Sequence, residues 1–105
     1  MIHHLVLIKL NPDVDEEKIE WMMRETRMQL LKIPEVLAVR CGKRIKDNQE
    51  WPFFLSIETE STEKLALYMA HPIHIKFRDE VVFPNISDHL MFDFEMEPGK
   101  DVQYS

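Results

Sequence analysis

Cysteine is nearly absent: Cys41 is the only one among 105 residues, so no internal disulfide can form and nothing asks for an oxidising compartment. A reducing cytoplasm is the expected location. Glycine is almost as scarce, with only Gly42 and Gly99, and a chain without a glycine-rich turn cannot build a phosphate-cradling P-loop or a dinucleotide fingerprint. Nucleotide cofactors are not expected. No apolar run approaches the ~20 residues needed to span a bilayer, and Met1-Ile2-His3-His4 carries no basic segment ahead of its apolar stretch. Neither membrane insertion nor secretion is expected. Positive charge is also short, 13 Lys and Arg against 19 Asp and Glu for a net charge of −6, and the basic residues are scattered rather than gathered on one face. Nucleic acid is therefore a poor partner.

What remains is the composition of an ordinary globular domain, 45% apolar and 30% charged, with a length that suits one core. Ile2 to Leu10 reads as a strand: Ile2, His4, Val6, Ile8 and Leu10 share one face, while Leu5 and Leu7 make the other mostly apolar as well. Asn11-Pro12 breaks it, and Asp13 with Glu16 resembles a capping box for a helix from about Val14 to Ile33. Ile19, Met22, Met23, Thr26, Leu30 and Ile33 form the helix's apolar stripe. Trp21 and Met28 lie off it, as snorkelling surface residues or as part of a contact with another chain. Further strands are expected over Val36 to Ile45, Phe53 to Glu60 and His89 to Met96. Ser61 caps a helix carrying Leu65, Tyr68 and Met69, a short helix follows to about Ile86, and residues 98–105 form a loose tail behind a domain spanning 1–97.

The stretch Tyr68-Met69-Ala70-His71-Pro72-Ile73-His74 gathers a phenol and two imidazoles. Pro72 has no backbone N–H and pushes His71 out of the helical region, so one helix ends there and another begins beyond it. Both histidines thus stand at a corner between rigid elements, where ring nitrogens can face a cavity. Their three-residue spacing is open to zinc, but no cysteine or third carboxylate ligand stands near, and no metal is expected. His71, restricted by Pro72, suits a structural cap. His4, on a buried face, needs a partner, and Tyr68 is the candidate.

The order β-α-β-β-α-β predicts an α+β, ferredoxin-like fold, a four-stranded antiparallel sheet with helices on one face. Because the strands are apolar on both sides, the other face needs cover, and the same face of a second copy supplies it in a dimeric α+β barrel. A homodimer is the expected assembly.

With these elements placed, the chain resembles the stress-responsive A/B barrel domain (Dabb) family, whose members form dimeric ferredoxin-like barrels. The resemblance rests on His4-Leu5-Val6-Leu7-Ile8-Lys9, on the Glu60-Ser61 helix entry with Tyr68 and His71-Pro72-Ile73-His74, and on Phe92-Asp93-Phe94. One branch is a plant polyketide cyclase that closes a ring by an aldol reaction without a cofactor, and the resemblance implies acid-base roles for His4, Tyr68 and His74. The chain departs from that branch at about Phe53, where a pocket histidine is replaced by an apolar ring. Some plant members hold a cation on backbone carbonyls, which would correspond to Leu30, Ile33 and Val36.

Two readings of function follow. The first is a binder of, or acid-base catalyst on, a small apolar carbonyl compound, with His74, Tyr68 and His4 at the reacting centre and His71, Phe53, Leu65 and Phe77 around the substrate. The second is a non-catalytic dimeric stress-response or assembly domain in which the same groups satisfy one another. A haem-degrading monooxygenase, with a histidine as axial ligand, is a minor third.

Overall fold

The computed structural model describes residues 1–100. Four strands, β1 (Ile2–Leu10), β2 (Ala38–Lys43), β3 (Phe53–Thr59) and β4 (Ile86–Glu95), form one antiparallel sheet in the order β2-β3-β1-β4. Helices α1 (Glu16–Leu30), α2 (Thr62–Ala70) and α3 (Pro72–Phe77) pack on one face, which is the ferredoxin-like arrangement. A π-helical turn over Arg78–Val82 and a 3-10 turn over Phe83–Asn85 carry the chain from α3 into β4.

The alternation in β1 decides the layering. Ile2, His4, Val6 and Ile8 are buried towards the helices, and the register aligns them with Thr59, Ile57, Leu55 and Phe53 of β3. Met22, Leu30 and Ile33 close the core from above. Each side chain excluded from water here stabilises the fold by about 1.5–3 kcal/mol. Truncating the solvent-free Leu30 to Ala would cost about 2–5 kcal/mol. Thr26 is buried within this stripe because its hydroxyl donates to the Met22 carbonyl (2.7 Å) one turn back.

Helix α1 begins two residues later than the Asp13 cap would place it. Val14 N–H donates to the Asn11 carbonyl (3.0 Å), so Asp13 is held inside a turn, and Asp15 caps instead, accepting from Lys18 N–H (2.8 Å). The helix also ends at Leu30 rather than Ile33, and two tight turns follow in which Leu30 O accepts from Ile33 N–H and Ile33 O from Val36 N–H. Two of the three carbonyls in the suggested cation position are therefore already bonded to backbone. Strand β4 starts at Ile86, before the expected His89, because Leu10 pairs with Ile86 across a bulge. Of the expected tail, residues 101–105 lie outside the described part, and Lys100 N–H closes a turn onto Glu97 O.

The other face of the sheet is open. Phe92 and Phe94 project from it with their rings stacked (6.4 Å between centroids), and they are 40% and 53% exposed beside Leu90 at 42%. At its β2 edge Phe54 lies across Gly42, where an added Cβ would sit 2.7 Å from the ring. Trp21 is half-buried with the Lys18 ammonium 4.7 Å from its ring centre, whereas Met28 is exposed.

Candidate functional site

The corner at Pro72 re-routes local hydrogen bonds. His71 N–H closes α2 onto Tyr68 O (3.1 Å), and the His71 ring caps α3 by accepting from Ile73 N–H at Nδ1 (3.1 Å). In an unbroken helix Ile73 N–H would donate to Met69 O. Here that carbonyl instead accepts from His74 Nδ1–H (3.0 Å). His74 is thereby fixed with its proton on Nδ1 and a lone pair on Nε2. Burial holds its pKa below the ordinary 6.5, with the Arg78 charge adding to the effect against the opposing Met69 bond. His74 is a neutral base at neutral pH.

Across the cavity, His4 Nδ1 lies 2.5 Å from Asp93 Oδ1, its opposite number in the β1–β4 register. The exposed carboxylate accepts a hydrogen bond from Nδ1–H and so fixes the orientation of the ring. Tyr68, fully buried, lies between the imidazoles: its ring centroid is 4.6 Å from that of His74 and 6.1 Å from that of His4. Desolvation drives the phenol pKa well above its usual value. The hydroxyl therefore stays protonated, and it can donate a hydrogen bond to an oxygen in the cavity but cannot act as a phenolate.

These groups border a cavity of about 190 Å³ between the helices and the β1–β4 side of the sheet, with Val6, Leu55, Met69, Phe77, Val82 and Met91 as its apolar walls. The expected trio His4, Tyr68 and His74 comes together there, and Phe77 joins it. Three expected binding residues do not line this cavity. Phe53 is buried at the far end of β3, opposite Ile8. Leu65 packs half-buried against the core, and the His71 ring is turned to the α3 cap. Asp93, not Tyr68, bonds the His4 ring. Arg78, Phe83 and His89, which line the cavity beside the turns leading into β4, are not among the residues expected from sequence. The β1 alternation extended onto β4 would put His89 and Asp93 on the His4 side, but only once the register is known.

Among the described residues no cluster of three His, Cys, Asp or Glu could hold a metal ion. His71 Nδ1 accepts from Ile73 N–H, which uses the lone pair of the neutral ring and puts its proton on Nε2, so His71 has no lone pair left to pair with His74 at a zinc ion. A haem does not fit either, since about 190 Å³ is below even the ~300 Å³ lower bound of ordinary small-molecule pockets.

Fold and cavity together define a ferredoxin-like α+β domain with a small histidine- and tyrosine-bordered chamber under its helices. Residues 2–96 match the model of the Stress responsive A/B Barrel Domain family, and the chain belongs to that family. It is 32% identical over 96 residues to a stress-response A/B barrel domain-containing protein of Arabidopsis thaliana, a match covering 90% of this chain but 36% of that protein. The chain thus spans about a third of the length of this curated relative. Similar solved structures include a second Arabidopsis thaliana protein (TM-score 0.82, 24% identity, 99% of this chain and 100% of that one). A dimeric ferredoxin-like protein of unknown function from Thermobifida fusca is also similar (0.81, 19%, 90% of each). So is a hydroxynitrile lyase from Passiflora edulis (0.79, 12%, 92% of this chain and 94% of that one). At these identities the structures establish the fold. Among the described residues no helix is long and apolar enough to cross a membrane.

Proposed function

We propose that this chain is the protomer of a homodimer that binds a compact, largely apolar carbonyl compound in the cavity and performs cofactor-independent acid-base chemistry on it, as a cyclase or lyase. One observation carries the reading. Two imidazoles, each anchored through Nδ1, flank a phenol that stays protonated, all on a small apolar chamber. In this reading His74 Nε2 removes a proton from carbon next to a carbonyl. The Tyr68 hydroxyl donates to the oxygen on which the negative charge develops, His74 gives back from Nε2 the proton it took, and His4, held by Asp93, helps to position the substrate. The hydroxynitrile lyase shows that this fold can frame lyase chemistry in another protein.

The dimer rests on the open sheet face. Leu90, Phe92 and Phe94 form an exposed apolar strip of the kind that marks an interaction surface, and a neighbour of the same fold is dimeric. That face also supports the second reading, a non-catalytic assembly domain, and one experiment separates the two. Acetylacetone in heavy water is followed by NMR for exchange of its central protons. The wild type accelerates exchange, while His74→Gln and Tyr68→Phe lose the acceleration and still unfold in one cooperative transition above the assay temperature. Equal exchange by all three proteins would leave only the assembly reading. Native mass spectrometry of protein from its own cells then identifies the ligand.

A further inference from the structure

Among the residues bordering the cavity, Arg78 is the one with a permanent charge. A guanidinium beside this chamber has an ordinary explanation, pairing with the adjacent Asp79, whose Oδ1 accepts from Nε at 2.9 Å. That pair is exposed on both sides (39% and 52%), and such pairs contribute little to stability. It also uses only one of the five guanidinium donors.

The rest of the side chain is held in place. Its guanidinium carbon lies 5.4 Å from the Phe83 ring centre, and Phe83 in turn lies against His89 with 6.1 Å between centroids. The Arg78 backbone N–H is tied to His74 O and Ile75 O, which fixes where the side chain departs relative to the base. A guanidinium set over the Phe83 ring with Nε occupied still has its two Nη groups as a planar fork, and that fork matches a carboxylate. Asp79 is not among the cavity residues, so it orients the fork without filling the space in front of it. The Arg78 charge also reaches His74, helping to hold the imidazole neutral.

Resting on the carbonyl-binding reading above, we infer that Arg78 selects substrates that carry a carboxylate as well as the reactive carbonyl. The anionic end is seated at Arg78 beside Phe83 and His89, and the apolar, carbonyl-bearing end lies at Tyr68 and His74. The chain's overall charge of −6 repels small anions in general, so a preference for one must come from a local group.

The test compares levulinate, a ketone bearing a carboxylate, with its uncharged methyl ester. Binding is read by NMR from the His74 and Tyr68 side-chain signals in wild type, Arg78→Gln and Arg78→Lys. Levulinate should bind the wild type about tenfold more tightly than the ester, the size of one charge-assisted hydrogen bond. Arg78→Gln should bring the two to parity by weakening levulinate alone, and Arg78→Lys should restore part of the difference. Equal affinities in the wild type, or a preference that survives in Arg78→Gln, would refute the role of Arg78 and leave the carbonyl site standing. If neither compound perturbs His74 or Tyr68, the carbonyl site itself is wrong and this inference falls with it.

Discussion

Asp93→Ala isolates the side-chain contact that ties the cavity residue His4 on β1 to strand β4. The His4 side chain is 5% exposed and its Nδ1–H has the Asp93 carboxylate, itself 54% exposed, as partner. Truncation leaves a buried donor without an acceptor, which costs about 1–3 kcal/mol when the site is dry. Because the carboxylate faces water, solvent can enter where it stood and screens what is lost, so the expected cost is at the lower end, about 1 kcal/mol. For a domain of this size that lowers the melting temperature by about 4–8 °C. Asp93→Asn retains an oxygen acceptor at the same place and should lose much less. Thermal unfolding by circular dichroism measures the stability, and NMR of the imidazole nitrogens reads the tautomer directly. The wild type should show His4 protonated at Nδ1, and the Ala variant a mixture of tautomers. If Asp93→Ala melts with the wild type and keeps an unchanged Nδ1–H signal, the carboxylate does not hold His4, and the assisting role given to His4 is wrong.

Since the folded-state pKa of His74 lies below 6.5, the unfolded chain binds the proton first as pH falls. Its contribution to stability is therefore full above about 6.5 and is lost on acidification towards the folded pKa; a His74→Gln variant should show a flatter stability profile over that interval by denaturant titration. Replacing Phe92 and Phe94 with Glu puts like charges on the open face and should convert a dimer into monomer, measured by light scattering after size exclusion. A wild type already monomeric would refute the sheet-to-sheet assembly. Gly42→Ala drives a methyl into the Phe54 ring at 2.7 Å; displacing that ring should cost about 1–2 kcal/mol, read as a lower denaturation midpoint, and no change would mean the ring moves aside freely.

How far the sequence can be read follows from how local each determinant is. Strand β1 is legible residue by residue, because alternation with apolar residues on both faces admits no other element, and its buried phase matches the expected one from Ile2 to Ile8. The cap at Ser61 and the break at Pro72 are equally readable, being encoded within a few residues. Asp15 is hidden as a cap because the choice between two aspartates depends on the turn that Asn11 makes. Cavity membership is the hardest to read. Asp93 and His4 are 89 positions apart, and their meeting is decided by the β1–β4 register, which no local pattern fixes. Phe53 is a cavity residue by family resemblance, yet its pairing with Ile8 sets it at the opposite end of the sheet from His4.

The corner itself shows why His71 belongs to the site without touching it. Pro72 removes one helix donor, and His71 Nδ1 draws off the next, the Ile73 N–H. Together these leave Met69 O with no backbone partner, and a buried carbonyl in that position needs a donor. His74 Nδ1–H is the group that supplies it. The base is therefore held in its tautomer by a break in the helix, and the break is made by the residues that separate the two histidines. The short spacing that invites a metal-binding reading works here as a relay of hydrogen bonds, in which the first imidazole occupies an amide so that the second can occupy the carbonyl that amide would have taken. Replacing Pro72 with alanine would let the helix run on, restore the Ile73-to-Met69 bond and release His74 to turn, which places the origin of the site's geometry in the backbone rather than in the cavity walls.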